Sequence, residues 1–257
     1  MQIYIYSEKE SIIHSIHPMV KIILLLVYFQ MAMMFQHPLY VAALLFLLLV
    51  IAIAGNALKA VWKFRFILII LFFLSLFLWT FFYRGSMPTD QHFLDLSGKG
   101  ILFGAGMGLR LSSMMIAGVI FLTTTKVEAF SYGLNKMGIP YRISFALTLA
   151  FRLVPLFIDN AFTIIDAQKS RGLQLEKVSL TRKIKGYIPL IIPVFASSLR
   201  AADNLALALE SKGFGLKEKR TSFVEYRFGI RDFIAIALFM IADTTIIFLR
   251  INGHGLI

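Results

Sequence analysis

Residues 66–83 read FILIILFFLSLFLWTFFY, eighteen consecutive residues without a charge. A helix needs about 20 mostly apolar residues to cross the hydrocarbon core of a bilayer. This stretch is too uniformly apolar for a surface helix of a soluble domain, so it predicts a transmembrane helix. The turn before it carries Lys59, Lys63 and Arg65, and such a cluster of cations indicates a membrane boundary at that point.

The composition of the whole chain also indicates a membrane protein. Of its 257 residues, 58% are hydrophobic and 25 are Phe. A soluble domain of this length cannot bury so much apolar side chain, so lipid must be part of its solvent. The net charge of +12 would suggest nucleic-acid binding in a soluble protein. In a membrane protein the same excess indicates cytoplasmic loops, and we predict no nucleic-acid partner.

Apolar runs of similar length recur along the chain and predict about five transmembrane helices. Four belong to an N-terminal membrane domain, residues 1–125, and one to residues 232–257. The segment between them, residues 126–231, mixes 17 Lys and Arg with 8 Asp and Glu. No window in this segment is predicted as a clean span, so we expect amphipathic helices there. The five predicted spans are Val20–Phe35, Leu39–Ala54, Phe66–Tyr83, Ile101–Thr125 and Phe233–Leu249.

Prolines are predicted to divide the 126–231 segment into shorter helices. A proline removes a backbone donor and crowds the preceding turn of a helix. We therefore expect helix boundaries at Pro155, Pro189 and Pro193. An amphipathic helix is predicted over Lys126–Met137, and two helices with a charged stripe are predicted to start near Pro155 and after Pro193.

The loop charges predict an orientation in the membrane. The cation-rich turn 55–65 and the 126–231 segment should face the cytoplasm, whereas the 37–38 turn and the 84–99 loop should face outside. The N-terminus is then cytoplasmic. No cleavable signal peptide is predicted, because the first apolar run starts near Val20 and no small-residue cleavage pattern follows it. The predicted fold class is an all-α integral membrane protein with about five spans and long amphipathic cytoplasmic helices.

The chain lacks the motifs of common catalytic sites. It contains no Cys, which excludes disulfides and thiolate ligands, and it contains no Walker A, HExxH or GxSxG sequence. Its five His residues share no helical face, so no metal site is predicted. We therefore predict that the chain is not an enzyme and binds no cofactor.

A short pattern occurs twice, 41 residues apart: Ala167–Leu173 reads AQKSRGL and Ala208–Phe214 reads ALESKGF. A cation followed by glycine suits any helix C-terminus, because the charge offsets the helix dipole and glycine adopts a left-handed conformation. Two matched copies on the predicted cytoplasmic side favour a docking function instead. The predicted docking residues are Ser170, Arg171, Gly172, Ser211, Lys212 and Gly213.

The predicted spans contain two further features. Gly100, Gly104 and Gly108 form GxxxGxxxG at the start of the fourth span, which allows another helix to approach closely. That helix belongs either to the same chain or to a partner subunit. Arg110 and Asp243 are the charged residues deepest in the spans. Because charge is costly in lipid, we expect them to pair with each other or to lie near a membrane interface, with a proton relay as the alternative.

Together these motifs resemble the transmembrane T component of energy-coupling factor (ECF) transporters, the group that includes CbiQ-type cobalt-transport subunits. The resemblance covers essentially the whole chain and rests mainly on the two Ser-cation-Gly motifs at their separation. The remaining motifs that carry it are His17-Pro18 with Lys21, Gly138-Ile139-Pro140, Phe151–Pro155 and Arg200–Asp203.

The resemblance implies a function as a coupling subunit. In such transporters the T component holds a substrate-binding S component and docks through coupling helices on two ABC ATPases, which bind the ATP. Arg171 and Lys212 would be the docking cations here, and the intramembrane glycines could pack against the S component. The substrate would be a vitamin or a transition-metal ion such as cobalt or nickel. Lys212 departs from the usual Arg, as Lys169 does from a small residue; lacking the guanidinium fork, Lys212 is predicted to be the weaker contact.

Two other hypotheses remain open from the sequence. An autonomous secondary transporter or channel, with Arg110 and Asp243 on its pathway, would show inverted-repeat symmetry, whereas the two halves here differ sharply in charge. A membrane-anchored scaffold would use its basic segment only to bind anionic lipid. Scrambling both repeated motifs at constant charge would leave such a scaffold unaffected.

Overall fold

The computed structural model describes residue 11 and residues 13–82, 98–172, 180–215 and 226–252, and every regular element in these ranges is an α-helix. The predicted all-α class is confirmed. The helices are α1 (Pro18–Met34), α2 (Pro38–Ala54), α3 (Leu58–Lys63), α4 (Arg65–Phe82), α5 (Gly98–Thr124), α6 (Val127–Lys136), α7 (Tyr141–Ser170), α8 (Leu180–Ser211) and α9 (Ile230–Ile251).

Five helices of the described ranges are long and apolar enough to cross a membrane, as predicted, but two of them are not those expected. They are α4, α5 from Gly100, α7, α8 from Tyr187, and α9. By length and composition alone, α7 and α8 also meet this criterion, so the prediction that no window in the 126–231 segment would resemble a span was wrong. Counting charge over the whole segment concealed these windows: no charged residue lies between Tyr187 and Leu199. Helices α1 and α2 are apolar but have only 17 residues each.

The expected helix boundaries at Pro155, Pro189 and Pro193 were also wrong. Pro155 lies inside α7, and the other two lie inside α8. A proline removes one helical hydrogen bond but does not end an apolar helix when another group can satisfy the freed carbonyl. The predicted helix Lys126–Met137, in contrast, is found as α6.

The chain forms two compact units. The first unit comprises Met1–Ser144 with Tyr226–Ile257, and the second unit is Phe145–Glu225. The first unit thus includes α6, although the sequence grouped α6 with residues 126–231.

The core of the first unit lies where α1, α2 and α5 meet. Met31 and Val41 are at most 1% exposed, and Ala32 and Ala52 are completely buried. Residues of α9, including Ile246, complete this cluster. Small residues at such contacts let helix backbones approach closely, which matters in lipid because burial itself is a weak driving force there.

Two helices of the first unit start with the same His-Pro pair. The Nδ1 atom of His17 accepts a hydrogen bond from the N–H of Met19 at 3.2 Å, and Nδ1 of His37 accepts one from Leu39 at 3.3 Å. In each case the following proline occupies the first helical turn, where its missing N–H costs nothing. The imidazole therefore acts as the N-cap of α1 and of α2.

The glycine face of α5 is covered by α4 of the same chain. A Cβ atom added to any of its three glycines would meet a carbonyl oxygen of α4 at 3.0 to 3.4 Å. The facing pairs are Gly100 with Thr80, Gly104 with Leu76, and Gly108 with Phe72. Of the two predicted partners for this face, the structure places the one from the same chain there.

Candidate functional site

The two repeated motifs form the C-terminal ends of α7 and α8 in the second unit. Ser170 and Ser211 are the last residues of these helices. Each hydroxyl donates a hydrogen bond to a carbonyl of its own last turn, Ser170 to Asp166 and Ser211 to Ala208, both at 3.0 Å. The serines therefore stabilise the helix ends rather than extend from them.

The second end is closed by a Schellman motif, in which a left-handed residue turns the chain back onto the last carbonyls. Gly213 has φ +72°. Its N–H donates to the Glu210 carbonyl at 2.8 Å, and the N–H of Phe214 donates to Leu209 at 2.9 Å. These are the two hydrogen bonds that define the motif.

The first end shows the corresponding geometry at Gly172. Its φ is +90°, and its N–H donates to the Lys169 carbonyl at 2.9 Å. Leu173, the residue that would form the second bond, lies outside the described residues. Both glycines thus have the backbone conformation that the capping interpretation predicted.

The cap alone does not distinguish these ends, because α6 ends in the same way. Gly138 has φ +101° and donates to Asn135, while Ile139 donates to Leu134. The residue before that glycine is Met137, whereas the repeated motifs place a cation there. The structural difference between the ends is therefore the cation.

Both cations lie exposed at the helix ends. The side chains of Arg171 and Lys212 are exposed, and neither forms a hydrogen bond or ion pair with another residue in the described part of the chain. A helix C-terminus carries partial negative charge, which favours a cation at this position. Their charged groups are therefore open to the surroundings of the protein.

The two ends lie far apart along the second unit. Gln168, near the end of α7, donates its amide N–H to the carbonyl of Pro189 in the first half of α8, at 3.4 Å. The rings of Phe145 and Phe214, at the opposite ends of the two helices, lie 4.5 Å apart. About 35 Å of helix separates Pro189 from Lys212, at 1.5 Å per residue. The Arg171 end thus lies beside the start of α8, and the Lys212 end beside the start of α7.

The contact between Gln168 and Pro189 has a chemical cause. Pro193 has no N–H, so the carbonyl four residues earlier, that of Pro189, has no donor within its own helix. The Gln168 amide supplies one. A residue of the first repeated motif therefore satisfies a carbonyl that a proline of α8 leaves free.

In the first unit, the predicted pair of Arg110 and Asp243 does not form. The Arg110 guanidinium donates to the carbonyl of Phe35, and it also contacts Sδ of Met107 at 3.3 Å. Oδ1 of Asp243 is buried without a hydrogen-bond partner among the described residues. The prediction was wrong because the chain reverses at Phe35, where a backbone carbonyl without a helical donor lies within reach of Arg110.

Sequence reasoning missed a polar network that joins three helix ends of the first unit. Nζ of Lys21 donates to the Thr124 carbonyl at 2.8 Å and so joins the start of α1 to the end of α5. The buried carboxylate of Asp232 accepts the N–H of His17 at 2.7 Å and that of Gly229 at 2.8 Å. Burial lowers the pKa of His17, and the nearby Asp232 opposes this shift.

Only part of this network could have been found from the sequence. His17 and Lys21 were noticed only through the family resemblance, and Asp232 is separated from His17 by 215 residues. No local pattern connects such distant positions. Within the described ranges, no group of three His, Asp or Glu side chains could hold a metal ion.

These features define a class: a multi-pass, all-helical membrane protein with two exposed cationic helix ends. The family model for CbiQ, described as cobalt transport protein, matches residues 9–223. The chain belongs to this family of transporter membrane components, which includes the T components of ECF transporters.

Similar proteins of known name agree with this assignment. The chain is 30% identical over 241 residues to an energy-coupling factor transporter transmembrane protein EcfT of Clostridium kluyveri, covering 90% of this chain and 89% of that protein. It is 27% identical over 261 residues to the protein of the same name from Staphylococcus aureus, covering 96% of each. A putative ABC transporter ATP-binding protein of Bifidobacterium longum is 33% identical over 162 residues, which are 60% of this chain and 21% of that protein.

Proposed function

We propose that this chain is the coupling subunit of an ECF-type importer for a micronutrient, a vitamin or a transition-metal ion. In this proposal it binds two ABC ATPases at its helix ends and a substrate-binding S component in the membrane. ATP-driven movement of the ATPases reaches the S component through α7 and α8. ATP is bound by the partner subunits, and this chain carries no cofactor.

The observation that carries the proposal is the pair of exposed cations at the ends of α7 and α8. The side chains of Arg171 and Lys212 are both exposed, and about 35 Å of helix lies between the two ends. Two well-separated, similar contacts on one subunit suit a motor made of two similar ATPases. The match of a fifth of an ABC transporter ATP-binding protein to this chain also supports a pairing with ATPases.

The charge distribution of the first unit supports the predicted orientation, in which the 55–65 turn faces the cytoplasm. A Cβ on Gly55 would lie 3.0 Å from the side chain of Ile13 and 3.5 Å from that of Thr124. The α2–α3 turn, the segment before α1 and the end of α5 therefore share one end of the unit. Lys59, Lys63 and Arg65 follow this turn, and such an excess of cations is typical of the cytoplasmic side.

Exposed apolar side chains suggest where lipid and the S component bind. Since α4 covers the glycine face of α5, we assign S-component binding to apolar faces left open. Ile191, Ile192 and Phe195 of α8 are all more than 60% exposed. A helix face this apolar requires either lipid or a partner subunit around it.

Loss of the docking cations tests the proposal. The double variant Arg171→Ala with Lys212→Ala should lose ATPase capture from detergent-solubilised membranes and should abolish substrate uptake. Removing one member of a buried ion pair commonly costs about 3–5 kcal/mol. The control is Lys59→Ala with Lys63→Ala, which removes the same charge from the exposed surface of α3. Normal ATPase capture and normal substrate uptake by the Arg171→Ala, Lys212→Ala double variant would refute the proposal.

The same assay separates the competing hypotheses. A scaffold that binds only anionic lipid would tolerate scrambling of both motifs at constant charge, whereas a docking subunit would not. An autonomous transporter would carry substrate when reconstituted alone in liposomes. We expect no flux until both ATPases and an S component are added.

A further inference from the structure

A cavity of about 600 Å³ lies in the first unit, at the end where α1 and α9 begin and α5 ends. Three cationic side chains line it, Lys21, Lys126 and Arg231, together with hydroxyl groups that include those of Ser15 and Thr125. No Asp or Glu belongs to its described lining. A cavity of this composition favours an anion with several acceptor oxygens.

Two of the lining groups are buried, and their hydrogen-bonding capacity is not filled by the described residues. Thr125 is 7% exposed, and its hydroxyl has no hydrogen-bond partner in the described part of the chain. Lys21 is 8% exposed and donates to two carbonyls, those of His14 and Thr124. An ammonium group has three donors, and acceptors among the described residues use two of those of Lys21.

The carboxylate of Asp232 does not belong to the described lining of the cavity. Both oxygens of Asp232 accept backbone N–H groups, those of His17 and Gly229. Arg231 is exposed at the rim of the cavity, where its Nη1 donates to the Ser15 hydroxyl at 3.1 Å and its guanidinium carries further donors. Among the described lining residues there are three cations and no carboxylate.

From this arrangement we propose that the cavity binds a phosphate group. The ammonium groups of Lys21 and Lys126, the fork of Arg231 and the Thr125 hydroxyl supply donors from several directions, as a tetrahedral oxyanion requires. The cavity lies at the end of apolar helices, the level at which lipid headgroups meet the protein. The phosphate can therefore come from the headgroup of an anionic phospholipid or from phosphate in solution.

The lipid source is tested by removing the rim cations, Lys126→Gln with Arg231→Gln, in the full chain. Lys21 stays unchanged because it also joins α1 to α5. The chain is purified in detergent with added phosphatidylglycerol, and retained lipid is counted by native mass spectrometry. Two cations at about fivefold each predict a loss of about 25-fold in apparent affinity.

The matched control is Lys59→Gln with Lys63→Gln, which removes two exposed cations from the same end of the unit without touching the cavity. We expect less than a threefold change. Equal losses in the two double variants would identify unspecific surface attraction and would overturn the proposal. Thr125→Val, which keeps the side-chain shape, should weaken retention about fivefold, the effect of one hydrogen bond.

Inorganic phosphate distinguishes the two sources. In lipid-free detergent, phosphate is titrated and binding is followed by calorimetry, first on the unchanged chain and then on the rim variant. Phosphate binding that the rim variant loses, without selective lipid retention, identifies the solution anion as the ligand. Selective retention of phosphatidylglycerol over phosphatidylcholine identifies the lipid. If the rim variant binds phosphate and lipid as the unchanged chain does, the proposal is wrong.

Discussion

The core of the first unit buries its large apolar side chains, whereas α8 of the second unit exposes many of them. Met31 and Phe35 in the first unit are at most 2% exposed, whereas Phe195 in α8 is 68% exposed. The chain itself supplies the neighbours of the first group and leaves the second group to lipid or to other subunits. The comparison teaches that the core of the first unit is held by its own contacts, whereas exposed apolar faces require contacts outside the chain. Such faces include that of α8 and, in the first unit itself, that of α4, where Phe73 is 62% exposed.

The largest expected effect contrasts one side chain from each unit. Met31→Ala should lower the free energy of unfolding by about 2–5 kcal/mol, because it leaves a cavity in a packed core. Phe195→Ala should change it by less than about 0.5 kcal/mol, as at other exposed sites. Thermal unfolding in detergent micelles measures both. Equal destabilisation would show that α8 is packed within the isolated chain and would remove the distinction between the units.

A smaller effect is expected where two parts of the first unit approach most closely. A Cβ on Gly106 would lie only 2.3 Å from the carbonyl oxygen of Gln36, whereas nothing lies within 4 Å of a Cβ on Gly118. Gly106→Ala should therefore destabilise the protein by about 1–3 kcal/mol through overpacking. Gly118→Ala, on the same helix, should be neutral or stabilising by up to about 1 kcal/mol. The melting temperatures of the two variants, compared with that of the unchanged chain, measure both effects.

The smallest expected effect is a pH dependence that belongs to the first unit. Burial lowers the pKa of His17 below its ordinary value, so the folded chain binds a proton there less readily than the unfolded chain. Its contribution to stability is complete above about pH 6.5, the unfolded value, and is lost as the pH falls below it. His17→Asn keeps a capping acceptor and should flatten the decline in melting temperature between pH 8 and pH 5.

The corresponding change at the other His-Pro pair, His37→Asn, serves as the control. It replaces the same kind of N-cap, but His37 caps α2 and forms no hydrogen bond with Asp232 among the described residues. The decline at low pH should persist in this variant. A decline that also persists in His17→Asn would assign the pH dependence to other groups.

Local patterns in the sequence were sufficient for much of the fold and of the candidate site. The apolar run at 66–83 predicted α4, and the glycines of the two repeated motifs predicted the ends of α7 and α8. These inferences work because the length of an apolar run and the formation of a left-handed cap depend only on residues that are neighbours in the sequence. The class of the chain followed from the same local features.

The errors lie where distant residues decide the outcome. Pro189 and Pro193 were expected to end a helix, but Gln168 satisfies the carbonyl that Pro193 leaves free. Arg110 donates to the backbone carbonyl of Phe35 and does not pair with Asp243. A sequence shows which charges need a partner but not which backbone carbonyls the fold leaves open.

The hydrogen bond between Gln168 and Pro189 has a mechanical consequence. At 3.4 Å and exposed to solvent, it contributes about 1 kcal/mol or less, because water can replace either partner. The contact between α7 and α8 near the Arg171 end is therefore weak, while the ring contact of Phe145 with Phe214 lies near the other end. Because so little free energy holds the two helices together there, the angle between them can change at the Arg171 end without unwinding either helix.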